Sequence, residues 1–349
     1  MPQPGKRAQE GQPLPPSLLR RKARFPVIAC LRVAAQADGS DDGWVVQVEQ
    51  WQVFPRGTAG GNPCPLVSDA RKLTGGQMRA IAAHYGHESA FVTGLSRTGV
   101  TLRYFVPRHE MRMCVHATIA AVTALISSGV LTAGQTTVST ASGEHHVTWD
   151  RGGGPPEVTV AQLRPWFGPP APVHAELAAA LGLPSGSICP AAAIQPVSVS
   201  RAKLIVPVRD AGTVHAAQPD LPALWDLCGQ LGTTGAYVFA PHPDGDPAHL
   251  VARQFPVDAG YPEDPATGVA AGALAAYLAG RHRSAEPAWT RITIDQGDSM
   301  GRPSRLRAAA LAGPDGITSP SVTGQAIRTG REPLSLDALG RDLPEPELR

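Results

Sequence analysis

Two Ala-rich, almost uncharged runs limit what this chain can fold into. The first is Val115-His116-Ala117-Thr118-Ile119-Ala120-Ala121-Val122-Thr123-Ala124-Leu125-Ile126. Val115, Ile119, Val122 and Ile126 share one helical face, and alanine fills most of the remainder. No charged face opposes that stripe, so such a helix has to be enclosed on every side. The second run, Ala266-Thr267-Gly268-Val269-Ala270-Ala271-Gly272-Ala273-Leu274-Ala275-Ala276-Tyr277-Leu278-Ala279-Gly280, has the same character. Each follows strand-like segments and a polar loop. This duplicated pattern predicts two similar units, each wrapped around one buried helix. At the start of the first run stand a thiol, Cys114, and an imidazole, His116, where free amides and the helix dipole favour an anion.

The segments between the helices are short, apolar and irregularly spaced, as in Trp44–Phe54, Thr101–Pro107, Lys203–Val208 and Gly235–Ala240. Lone helices among such strands argue for α+β rather than alternating βαβ. The expected organisation is a disordered, Pro-rich extension over 1–43, a first lobe over 44–165 and a second over 166–305. Closing strands over 306–330 and a polar tail over 331–349 complete it. Gly168-Pro169-Pro170-Ala171-Pro172 lies close to the expected lobe boundary.

Composition narrows the function classes. The formal charge is +2 with both signs spread along the chain, so no nucleic-acid surface is expected. No apolar run reaches the roughly 18 residues of a membrane span. Five scattered cysteines without a C-x-x-C predict a reduced, cytoplasmic protein without disulfides or structural zinc. His84-x-x-His87-Glu88 and His145-His146 lack a third ligand in register and read as turn or surface histidines. Asp244-Gly245-Asp246 is too short for a calcium loop.

Read alone, the polar residues near the two helices have ordinary explanations as well as chemical ones. Glu88 suits an exposed loop or a proton shuttle, and Asp264, after Glu263 and before Pro265, suits a helix cap or a substrate contact. His116 suits a satisfied core histidine or a hydrogen-bond donor, and Cys114 a small core residue. Gly57-Thr58-Ala59-Gly60-Gly61-Asn62-Pro63 lacks a phosphate-loop signature and reads as a tight turn bringing backbone near a ligand.

Taken in order, Gly61-Asn62-Pro63, Glu88-Ser89-Ala90-Phe91-Val92, Cys114-Val115-His116-Ala117-Thr118 and Glu263-Asp264-Pro265-Ala266-Thr267-Gly268 form a specific set. Gln296-Gly297 and Gly301-Arg302-Pro303-Ser304 come after them. The set resembles the PhzF-like family of phenazine-biosynthesis isomerases, within the diaminopimelate epimerase superfamily, over roughly residues 44–330. The resemblance implies two pseudo-symmetric lobes, each a curved, mostly antiparallel sheet around one helix, with the site in the cleft between them. It also implies a homodimer, no cofactor and no metal, and proton transfer within a small conjugated acid of secondary metabolism. By the family's motifs the acid/base glutamate falls on Glu88, the histidine on His116 and the aspartate on Asp264. Gly61, Asn62, Ala117, Thr118, Thr267 and Gly268 then fall at substrate-binding positions.

Two positions depart from the family pattern. Val115 stands where the motif has glycine, and Val269 where it has serine. Both changes predict a narrower, drier cleft that takes a less polar molecule, with the two helix N-termini holding the acid. Glu88 then needs a carboxyl raised by a dry site to act near neutral pH. Cyclisation of a polyene on the same scaffold, and metabolite binding without turnover, are the alternatives.

Overall fold

The computed structural model describes residues 45–57, 60–96, 98–281, 286–339 and 348. The extension expected over 1–43 lies outside them. In the first half the strands are β1 (Val45–Val53), β2 (Asn62–Val67), β3 (Ser89–Leu95), β4 (Gly99–Phe105), β5 (Glu110–Met111), β6 (Gln135–Thr140), β7 (Gly143–Asp150) and β8 (Glu157–Ala161). Then come β9 (Trp166–Phe167), β10 (Gln195–Ser198), β11 (Ala202–Pro207), β12 (Gly235–Pro241), β13 (His249–Pro256), β14 (Ala288–Gln296), β15 (Ser304–Gly313), β16 (Gly316–Gly324) and β17 (Ala326–Ser335). The helices are α1 (Gly75–Tyr85), α2 (Val115–Ser127), α3 (His174–Ala180), α4 (Ala211–Ala216), α5 (Leu221–Gln230) and α6 (Gly268–Ala279).

One pairing series occurs twice. In the first half β1–β2 is antiparallel, β2–β3 parallel, β3–β4 antiparallel, β4–β6 parallel, and β6–β7 and β7–β8 antiparallel. In the second, β10–β11 is antiparallel, β11–β12 parallel, β12–β13 antiparallel, β13–β14 parallel, and β14–β15 and β15–β16 antiparallel. The last strands of the two series, β8 and β16, pair with each other antiparallel. The strand after each of these crosses to the other series: β9 pairs with β10, and β17 with β1. All the ladders therefore belong to one hydrogen-bonded sheet.

Helices α2 and α6 occupy matching places in the two series, between β4 and β6 and between β13 and β14. Every residue of α2 from Val115 to Ile126 is buried, as is every residue of α6 except Leu278. Alanine on all faces lets strands approach from every direction, and both helices share one hydrophobic core. A second core lies under α3 and α5, and a third under α1. Thr74 caps α1 with a reciprocal bond to Gln77, and Gly86 closes it in the left-handed conformation. Strand β17 extends to Ser335, so residues 331–335 of the expected tail are paired with β1.

Candidate active site

Strand β3 begins at Ser89, so Glu88 is the last residue before a ladder whose first four residues are buried. Cys114 and His116 flank the first turn of α2, and the loop between β13 and α6 carries Tyr261, Glu263 and Asp264. These elements bring Glu88, Cys114, His116, Tyr261 and Asp264 together. Glu88 is 9% exposed, Asp264 5% and His116 2%.

The Glu88 carboxylate accepts from the Tyr261 hydroxyl at Oε1, 2.6 Å away, and from the Cys114 thiol at Oε2, 2.9 Å away. His116 Nδ1 lies 3.4 Å from Oε2 and 3.3 Å from the Cys114 sulfur. Asp264 is held by two donors: Asn62 Nδ2 at Oδ1 and Thr267 Oγ1 at Oδ2, each 2.5 Å away. The Asn62 amide also donates to the Ala266 carbonyl and lies 3.5 Å from His116 Nδ1. Gln296 donates to the Asp264 carbonyl and accepts from Tyr237 and the Thr267 amide. The loop itself is pinned by Glu263, whose carboxylate takes a two-pronged ion pair from Arg253 at 2.9 and 2.7 Å.

The two site carboxyls are driven apart. Burial alone would raise Glu88, but His116, Arg201 and the thiol and phenol donors outweigh it and hold its carboxyl below the ordinary value. Asp264 goes the other way, pushed up to about 7 by burial and by the Glu88 charge. The dry-site effect expected at Glu88 thus falls on Asp264. Burial lowers His116. Burial and Glu88 together raise the Cys114 thiol well above its usual range, which opposes the thiolate that a helix start would favour.

Glu88, Tyr261, Asp264 and Thr267 line one cavity of about 140 Å³ together with Arg201, Lys203 and Gln254. Several residues expected to touch substrate lie elsewhere. The side chain of Val115 packs on Gly268: a Cβ at Gly268 would stand 2.5 Å from Val115 Cβ. Ala117 and Val269 are buried in the common core, and Thr118 hydrogen-bonds Tyr104 and the Cys114 carbonyl. Gly61 donates its amide to the Pro303 carbonyl, and the space beside Gly60 is filled by that same oxygen. The tight turn thus packs its backbone on the Gly-Arg-Pro-Ser loop. Asn62 supports Asp264 without lining the cavity.

Four cavity residues, Tyr261, Gln254, Lys203 and Arg201, escape the motifs of the sequence. Tyr261 had a signal, being on the same short loop as Asp264; the other three lie on or beside strands β11 and β13, outside any motif. Among the described residues, two groups of side chains have donor atoms close enough to hold a metal ion: Glu88, Cys114 and His116, and His242, Asp244 and His249. Cys64, Cys114, Cys189 and Cys228 are unbridged, and among the described residues no helix is long and apolar enough to cross a membrane.

The fold is of the α+β class, and the sequence relatives of this chain make it an isomerase. A sequence model of the PhzC-PhzF family, described as "Phenazine biosynthesis-like protein", matches residues 51–330, and the chain belongs to that family. An "Uncharacterized isomerase" of Deinococcus radiodurans is 34% identical over 70% of this chain and 80% of its own length. The trans-2,3-dihydro-3-hydroxyanthranilate isomerase of Pseudomonas aeruginosa is 30% identical over 78% of this chain and 93% of its own. The fold is that of a Bacillus anthracis PhzF family protein, with a TM-score of 0.74 at 23% identity over 83% of this chain and 99% of that one. A hydroxyproline epimerase from Agrobacterium vitis shares it at a TM-score of 0.59 and 15% identity, over 84% and 94% of the two chains. The expected family and α+β class are met.

Proposed function

We propose that this chain moves a proton within a small conjugated carboxylic or amino acid, with Glu88 as the base that removes it and returns it. The observation that carries this reading is two buried carboxyls on one cavity, Glu88 held below the ordinary carboxylate value and Asp264 pushed up to about 7. Glu88, ionised, takes a proton from the carbon beside the π-system and delivers it at the vinylogous carbon. Asp264, protonated near neutrality, donates a hydrogen bond to the oxygen or nitrogen on which charge develops. Tyr261 and Cys114 keep the base anionic and fix the direction of its free lone pairs. His116, joined to Glu88, Cys114 and Asn62, holds the two carboxyl groups in one network. No step calls on a cofactor. A substrate related to the dihydro-hydroxyanthranilate of the Pseudomonas relative is supported by the family and by the size of the cavity. A homodimer and a place in secondary metabolism follow from the family likeness.

The pH dependence of turnover tests this assignment. With substrate bound, the rate should rise once Glu88 ionises, below the ordinary carboxylate range, and fall as Asp264 loses its proton near about pH 7. In Asp264→Asn the alkaline fall in kcat should disappear. A fall that persists unchanged in that variant would remove Asp264 from the acid's role.

A further inference from the structure

Three polar side chains that line the cavity, Arg201, Lys203 and Gln254, are left short of partners by the fold. Gln254, 1% exposed, has both its Nε2 and its Oε1 buried with no hydrogen-bond partner. Lys203, 2% exposed, reaches the Thr234 carbonyl at 3.2 Å. Arg201 has a buried Nε with no acceptor. Among the described residues no carboxylate lies within ion-pair distance of Arg201 or Lys203. Buried polar groups are otherwise almost always paired, and a buried ammonium with a single carbonyl and no counter-charge at ion-pair distance is costly. Two cations and an unpartnered amide lining one cavity suit an anionic group of a ligand. Gly235 supports the arrangement: a Cβ there would strike Gln254 Nε2 at 2.5 Å, so a side chain at 235 would displace the amide.

The helix N-termini do not offer this anion an equal place, because the Val115 side chain sits against Gly268 where the starts of α2 and α6 meet. We infer that Arg201, Lys203 and Gln254 form the anchoring subsite for the substrate's carboxylate, and that the ligand is a flat acid with a second polar group for the Gln254 amide. The inference rests on the acid-isomerase reading of the same cavity. It also accounts for Lys203, which burial and Arg201 push down to about 7: a bound carboxylate restores its charge.

Binding tests it without turnover. Calorimetry on the full chain compares anthranilate with anthranilamide, its neutral counterpart. The acid should bind at least about tenfold tighter than the amide. Arg201→Gln and Lys203→Met should each weaken the acid by about tenfold and leave the amide unchanged, and Gln254→Leu should weaken both. Lys203→Met should also raise the melting temperature of the ligand-free protein, so a loss of binding there is not a loss of fold. Glu88→Gln should keep the preference for the acid, which separates failure of this subsite from failure of the proton-transfer reading. Equal binding of acid and amide, no saturable acid binding, or full-strength acid binding by Arg201→Gln and Lys203→Met would overturn the inference.

Discussion

Glu88 and Asp264 face one cavity, yet the atoms around them set them to opposite tasks. Each carboxyl has two donors, so the difference lies in the charges: burial is offset at Glu88 by His116 and Arg201, while Asp264 bears the cost of a second buried charge beside Glu88. That raised Asp264 carboxyl has a stability consequence. Its folded value, about 7, exceeds the ordinary 3.8, so its contribution is complete below the ordinary value and lost as pH rises through 7. Asp264→Asn should therefore gain stability relative to the natural chain as pH rises from about 4 through about 7, as read by chemical denaturation at each pH. A constant difference across that range would contradict the raised carboxyl. Cys114, neutral and buried, is a donor and not a base, so Cys114→Ala should lower turnover by about tenfold or less. Glu88, His116 and Asp264 were marked out only by the family's motifs, because each alone reads equally well as a loop, core or capping residue. Gln254 and Lys203 were not marked out, because a polar residue in a strand signals nothing until a cavity forms beside it.

At the scale of elements, α2 and α6 meet through a valine set against a glycine. Gly268→Ala places a methyl group 2.5 Å from Val115 Cβ, an overpacking that should cost about 1–3 kcal/mol in equilibrium unfolding. Val115→Ala in the same chain should restore part of that loss, since the two residues share one space. These helices were legible because uncharged alanine runs fit only a fully enclosed position. Strand β2 was not, since its first residues, Asn62 and Pro63, fall in the stretch read as a tight turn. Pro63 and Pro65 both pair with β1, and the ladder to β3 starts only at Leu66, so neither needs to donate on that side. The two-residue strands β5 and β9 are too short to show any period.

Across the whole molecule, one pairing series used twice explains why an Ala-rich helix recurs with a loop of functional residues before it. The crossing of β17 onto β1 ties the last described strand to the first, whose buried residues include Val48, Trp51 and Val53. A chain ending at Gly324 should lose its cooperative thermal transition by circular dichroism, and an unchanged melt would show that β17 is dispensable. The repeat could be sensed from the two helices, but the β8–β16 ladder joining the series could not, because long-range pairing leaves no local mark. Glu88 as the carrier of the proton is tested most directly by isotope exchange. In heavy water, with a panel of conjugated amino and carboxylic acids, the natural chain should place deuterium on a substrate carbon. Glu88→Gln should slow that incorporation by about 10²–10⁴-fold. Undiminished incorporation by Glu88→Gln would contradict that role.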